Sequence, residues 1–266
     1  MKPRLLIVGA GPVGLTLAVE MARYGVPLRI IDKAPARTDK SKAVSVWPRT
    51  LELFEGAEVA DRLVAAGVKV KAANISNGKE RIAHIRLDRL DTSYPFALMI
   101  PQSETERILE TRLAELGVTV ERSVELTGFR DEGNAVEAEV RHADGTAQTV
   151  LIDWIAGCDG AHSVVRHTIG REFRGETVDD HFLLADIRLS SSPMPADELM
   201  IWWHQEGIVA FFPLPGDRIR LIASTEPPAD PNSSPTLDEV QKILDRRGPG
   251  AMTAEDPVWM ARFRIN

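Results

Sequence analysis

Four residues near the amino terminus have the types and spacing of a phosphate and ribose site. Gly9, Gly11 and Gly14 form G-x-G-x-x-G in IVGAGPVG, directly after the apolar run RLLIV, and Asp32 closes the next apolar run, PLRIID. A glycine turn is informative only in this setting, between a strand and a helix with an acid at the end of the following strand. Gly9 permits the tight turn, Gly11 leaves room for a pyrophosphate, and Gly14 lets helix and strand approach closely. Amides and the dipole at the helix start stabilise phosphate charge, which adds Pro12 and Val13 to the candidate binding set. Asp32, with Lys33 beside it, is placed to accept hydrogen bonds from ribose hydroxyls. The plainer reading of Asp32 is a turn acid; the spacing favours ribose.

A second small-residue turn with an embedded acid lies at 157–166, GCDGAHSVVR. Gly157 and Gly160 permit close backbone approach, Asp159 offers an acceptor, and a helix starting near His162 presents amides to an anion. Arg166, one turn into that helix, is expected to pair with phosphate or with Asp159. Composition alone favours an ordinary strand-to-helix turn with an N-cap. His162 has no ligand-like partner nearby and receives no metal role, and the single cysteine, Cys158, excludes an internal disulfide framework.

These residues need a scaffold of strands and helices. RLLIV and PLRIID read as central parallel strands covered on both faces. They are joined by a helix from about Pro12 to Tyr24, with an apolar face of Leu17, Ala18, Met21 and Ala22 and Gly25 as its end. Pro48 opens a helix over WPRTLELFEG, and EVADRLVAAG is another. PQSETERILETRLAELG has Ser103 and Glu106 at capping-box spacing, an apolar stripe through Ile108, Leu109, Leu113 and Leu116, and Gly117 as terminator. LIDWIAG is a further buried strand leading into the second turn.

Strand-rich segments surround these elements. Residues 68–100 carry a hairpin signal at Asn77-Gly78, and 118–156 carry turns at Gly133-Asn134 and Ala143-Asp144-Gly145. Past 175, GIVAFFPLP and RIRLIAS flank Pro215-Gly216-Asp217, EPPADPNSSPT is a loop, and TLDEVQKILDRR is a helix. The order predicts an α/β protein in which a Rossmann-like domain, residues 1–67 and 101–174, is interleaved with a strand-rich domain, residues 68–100 and 175–266.

With 266 residues, 44% hydrophobic and 27% charged, the chain can bury a real core. The net charge of -7 leaves no basic footprint for nucleic acid. Glycines at 9, 11 and 14 interrupt the first apolar run and Glu20 follows it, so it is read neither as an export signal nor as a membrane span. A soluble protein of the reducing cytoplasm is expected.

Four blocks, VGAGPVGLTLAVEMARYGVPLRIIDK, SKAVSVWPRTLELFE, IPQSETERILETRLAELGV and GCDGAHSVVRHTIG, stand in order up to about residue 170, with a more diffuse match through GIVAFFPLPGDRIRLIAS. Together they resemble the FAD-dependent aromatic hydroxylases, the single-component flavoprotein monooxygenases typified by para-hydroxybenzoate hydroxylase. The resemblance implies that Gly9, Gly11, Gly14 and Asp32 hold the adenosine-diphosphate half of FAD. It implies that Lys42 contacts the flavin cofactor where the family usually has arginine, without the arginine's two-pronged fork. It places Gln102 and Arg107 against FAD from the other side, although Arg107 also reads as a solvated helix charge. The Asp159-Gly160 pair is implied to lie near the FAD pyrophosphate and to take part in binding the nicotinamide cofactor.

The implied activity is hydroxylation of a phenolic or other small aromatic molecule with NADH or NADPH and dioxygen, through a flavin hydroperoxide. The cofactor carries the hard chemistry, so no side-chain nucleophile is expected. The strand-rich domain would cover the substrate, with Trp202, Trp203, His204, Phe211 and Phe212 near the pocket; alternation along a strand sends half of them elsewhere. A homodimer is left open. Family members carry a third fingerprint, Gly-Asp-Ala-Ala-His, after the sheet domain. Gly216-Asp217 sits in a hairpin turn and does not match it, so the sequence is expected to be part of a longer hydroxylase. A flavin-dependent reductase and a non-catalytic nucleotide-binding module are the alternatives on this scaffold.

Overall fold

The computed structural model describes residues 3–264 except 42, 78, 79, 177, 179, 229, 231 and 232. The chain divides into two compact units. One comprises Met1–Ser41, Phe54–Leu63 and Gln102–Arg174, and the other Lys42–Leu53, Val64–Pro101 and Gly175–Asn266. Residues 42–53 and 64–67, grouped with the first domain on sequence grounds, fall in the second unit because Ser45–Val46 and Val68–Val70 both pair with Ala97–Met99.

In the first unit, parallel strands run in the order Trp154–Gly157, Leu5–Val8, Leu28–Asp32, Val120–Arg122. Leu5–Val8 is buried along its whole length, which explains an apolar run without alternation. The helix Pro12–Arg23 buries Gly14, Leu15, Ala18 and Val19. The expected face is thereby corrected: Leu17, Met21 and Ala22 are half-buried. Gly14 must face the turn that precedes the helix, and the residues one turn on from Gly14 and Leu15 follow it inward. This helix packs against Gln102–Glu115. An antiparallel sheet of Ala147–Ile152, Val136–Arg141 and Glu125–Asp131 completes the unit. Alternate residues Leu126, Ala138, Val140, Val150 and Ile152 share a core with Leu6, Val8 and Ile31.

The second unit is built on a seven-stranded sheet in the order Thr253–Arg264, His181–Ser190, Arg218–Thr225, Gly207–Leu214, Glu198–His204, Ala72–Ser76, Arg81–Arg86. The last two are antiparallel, as the hairpin signal at Asn77-Gly78 predicts; Gly78 itself is outside the described residues. The helix Leu237–Arg247 lays Val240 and Leu244 on Leu183, Ala185, Val209, Phe211 and Leu221. Thr236 and Glu239 form a capping box at its start, a device worth about 1 kcal/mol. Of the aromatic candidates, Phe211 is core, Trp202 packs edge-on against it with centroids 6.3 Å apart, and Trp203 and His204 are exposed. Phe212 is half-buried against another cluster that includes Val44, Met99 and Leu214.

Asp186 and Arg220 are register partners on neighbouring strands. They form a two-pronged ion pair with both contacts at 2.7 Å and Arg220 fully buried. The guanidinium also donates to Ala43 O at 3.4 Å and lies over the Trp259 ring. Deleting either partner would strand a buried charge, a loss of about 3–5 kcal/mol.

Candidate nucleotide-binding site

The first parallel strand ends at Val8, and Gly9 turns the chain with φ +100°. A Cβ on Gly9 would stand 2.4 Å from Cys158 O, and one on Gly14 would stand 1.9 Å from Gly9 O. Both positions therefore exclude any side chain. A Cβ on Gly11 would meet nothing within 4 Å, so that position faces open space. Gly11 is the N-cap of Pro12–Arg23, Pro12 occupies the first turn, and no side chain caps the helix. The first amides of this helix thus have neither an intrahelical partner nor a side-chain acceptor at the cap. Val13 is exposed beside them.

Asp32 holds the turn from below. Its Oδ2 accepts from Ala10 N at 2.7 Å and its Oδ1 from Ala34 N at 2.8 Å, while Gly9 N donates to Ile31 O at 2.8 Å. Arg122 Nη1 lies 3.8 Å from Asp32 Oδ2. A carboxylate has about four lone-pair sites, so two amides leave capacity for ribose hydroxyls. Lys33 is exposed. Lys42 lies outside the described residues.

A cleft of about 250 Å³ opens at the carboxyl ends of the parallel strands, where sheets of this type hold ligands. Gly9, Gly11, Asp32 and Lys33 line it on one side and Cys158, Asp159, Gly160 and His162 on another, with Val124 and Leu126 as apolar wall. Uncapped helix amides, a bare Gly11, a rim carboxylate and apolar walls fit an adenosine diphosphate.

The second turn differs from expectation. Asp159 accepts from Ser163 Oγ at 2.6 Å, Val164 N at 2.7 Å and Val165 N at 3.3 Å. Ser163 in turn caps the short helix Val164–Thr168 through Arg166 N. Arg166 does not pair with Asp159. Its guanidinium donates to Ala161 O at 2.7 Å and stacks on Phe173, while Asp159 is held by hydroxyl and amide donors of its own turn. Burial, reinforced by the Asp159 charge, pushes the Cys158 thiol up.

Gln102 and Arg107 do not line this cleft. The helix starts at Gln102, whose backbone N–H donates to Ser41 Oγ at 2.6 Å. The expected Ser103 cap is thereby corrected: Ser103 sits inside the helix, and Glu106 accepts instead from Gln102 Nε2 at 2.8 Å. Arg107 forms a two-pronged pair with Glu104, at 2.8 and 2.6 Å. Burial raises the Glu106 pKa, opposed by Gln102, Arg37 and Arg122. Sequence reading missed Ser41, Arg122 and the Val124–Leu126 wall. Ser41 is 61 positions from the amide it caps, and no local pattern announces such a contact. Among the described residues, no group of three His, Cys, Asp or Glu is arranged to hold a metal, and no helix is long and apolar enough to cross a membrane.

A family model described as FAD binding domain matches residues 3–266. The chain is 37% identical over 271 residues to 6-methylpretetramide 4-monooxygenase of Streptomyces rimosus, covering 99% of this chain and 47% of the relative. It is 31% identical over 266 residues to pentachlorophenol 4-monooxygenase of Sphingobium chlorophenolicum, covering 98% and 49%. The crystal structure of p-nitrophenol 4-monooxygenase PnpA from Pseudomonas putida DLL-E4 has a TM-score of 0.85 at 21% identity, over 99% of this chain and 68% of that one, and shows a shared fold. The chain spans about half the length of the curated relatives it matches.

Proposed function

The chain belongs to the FAD binding domain family, and from that premise we propose that it supplies the FAD-holding and substrate-covering parts of a monooxygenase that hydroxylates a phenolic or other aromatic small molecule with NADH or NADPH and dioxygen. The observation that carries the reading is the cleft in which the uncapped helix start beyond Gly11 faces the Asp32 carboxylate. Monooxygenases of 6-methylpretetramide and pentachlorophenol among its relatives support an aromatic substrate.

Bound FAD would supply hydride acceptance and oxygen activation. The chain's own residues bind and orient it. The backbone N–H groups of Gly11, Val13 and Gly14 receive the pyrophosphate, with Pro12, which has no N–H, setting the first helical turn, and Asp32 takes the ribose hydroxyls with Lys33 at the rim. Asp159 acts by fixing the second turn, so that Gly160, without a side chain, admits the cofactor backbone. Lys42, Gln102 and Arg107 are assigned to the flavin half. The first unit is the FAD-binding domain, and the seven-stranded sheet of the second is the substrate cover. A single cysteine supports a reducing cytoplasm as its working place.

Titration of the chain with FAD, followed by flavin fluorescence, tests the cofactor site. Asp32→Ala removes a charged acceptor from ribose and from Ala10 N, and is expected to weaken binding at least about tenfold. Equal affinity of wild type and Asp32→Ala would refute the site. Dioxygen-dependent oxidation of NADPH in the presence of phenols tests the activity.

A further inference from the structure

The second unit holds a pocket of its own, of about 320 Å³, at the small end of the range for small-molecule sites. It is lined by buried Phe211 and by Leu189, Met194 and Ile219, which pack partly buried against the core beneath the helix Leu237–Arg247. Phe212, the next residue on the strand, points to the opposite face and joins Val44 and Met99 there. Charge in the pocket is one-sided. Glu198 and Asp217 line it, and Arg218 is the only cation among the described lining residues. Arg218 is already engaged by Asp256, with Nη2 2.6 Å from Oδ2 and Nη1 2.8 Å from the backbone oxygen. The Glu198 carboxylate accepts from Asn74 Nδ2 and lies 3.4 Å from His84 Nε2. Arg86, on the same hairpin as both, is turned to Asp88 at 2.7 Å. A carboxylate has about four lone-pair sites, so Glu198 keeps room for another donor. A neutral acceptor would serve the buried Asn74 amide without the desolvation cost of a charge, so that contact alone does not call for an acid.

We propose that this pocket binds a small organic ammonium ion with an aromatic body, the ammonium donating to Glu198 and the ring lying among Leu189, Met194, Phe211 and Ile219. A thioether beside an aromatic ring suits both parts of such a ligand, through sulfur–aromatic and cation–π contacts. An aromatic carboxylate would meet Glu198 and Asp217 as like charges. The site stands whether or not the chain binds FAD.

Titration of the whole chain with benzylamine, without FAD, tests it through the methionine methyl signals in a carbon-13 NMR spectrum, where Met194 is identified by its loss in Met194→Leu. A saturable shift of that signal is expected. Benzyl alcohol, which keeps the ring and a donor but not the charge, should bind about tenfold more weakly, and benzoate should leave the signal unmoved at the same concentrations. Glu198→Gln keeps an acceptor for Asn74. It is expected to bring benzylamine down to the level of benzyl alcohol, while benzyl alcohol itself stays within about twofold of wild type, which shows the pocket intact. Four results overturn the proposal. They are a Met194 signal that benzylamine does not move, equal binding of benzylamine and either uncharged or anionic probe, a Glu198→Gln variant that binds benzylamine like wild type, and a Glu198→Gln variant that loses benzyl alcohol as well. The last would mean that the carboxylate shapes the pocket and does not take the charge.

Discussion

At the first glycine turn no side chain caps the helix that follows, whereas at the second Asp159 and Ser163 already occupy the helix start. Gly9 and Gly14 touch backbone where any Cβ would collide, and no side chain caps the helix they open. In the second turn a Cβ on Gly160 would meet nothing within 4 Å, and order comes from Asp159, which takes the Ser163 hydroxyl and the amides of Val164 and Val165. The two turns look alike as strings of small residues between a strand and a helix. Their capacity for an anion differs, because the second turn has already placed a carboxylate on its own helix start. On the proposed reading phosphate charge belongs at the first turn, while Asp159, Gly160 and His162 of the second line the cleft.

The strongest way to break this comparison is Gly14→Ala. One methyl group 1.9 Å from Gly9 O and 3.2 Å from Cys158 Cβ forces helix and turn apart. An expected loss of about 3 kcal/mol in urea unfolding should come with loss of FAD binding, since the helix amides move with the backbone. Near-native FAD affinity in this variant would show that the glycine contact does not place the amides. Asp159→Ala ranks next. It leaves one hydroxyl and two amides without their acceptor, a cost of about 2 kcal/mol, and it should reduce FAD affinity less than Gly14→Ala does. Asp159→Asn, which keeps one acceptor oxygen, should fall between wild type and Ala in thermal unfolding. An alanine variant as stable as wild type would mean that Ser163 alone holds the turn.

The parallel core was legible because it rests on local pattern. The continuous apolar run at Leu5–Val8, the strand Leu28–Asp32 and the glycine spacing sit where the structure uses them. The hairpin turn at Gly216-Asp217 was equally local, with both residues at positive φ. What escaped is long-range or polar. Ser41 caps a helix from another segment, and Arg220 is buried although its strand reads as alternating charge and apolar residues. The capping box at Ser103 and Glu106 has the right residue types but the wrong register, because the helix starts at Gln102, two residues earlier than a Ser103 cap would have it, with the Ser41 hydroxyl taking the Gln102 amide. For Arg166 charge alone offers phosphate or Asp159 as partner, and hydroxyl and amide donors of the turn hold that carboxylate instead. Spacing identifies who can meet, but competition among donors decides who does.

The smallest expected effect sharpens the comparison most, because it separates shape from stability. Gly160 has φ +78°, lines the cleft, and has open space where a Cβ would project. Gly160→Ala should therefore lose only the cost of holding an L-residue in the left-handed region, about 1 kcal/mol, and Gly160→Asn somewhat less, since asparagine tolerates that conformation. If the cofactor backbone approaches this turn, both variants should also lose FAD affinity, by about fivefold for alanine and more for the bulkier asparagine. The ranks are then opposite: asparagine is the more stable protein and the weaker binder. Strain alone would give the same order in both measurements, with alanine worse in each. A parallel order would thus confine Gly160 to the turn, and a crossed order would put the second turn in contact with the cofactor while leaving the charge at the first.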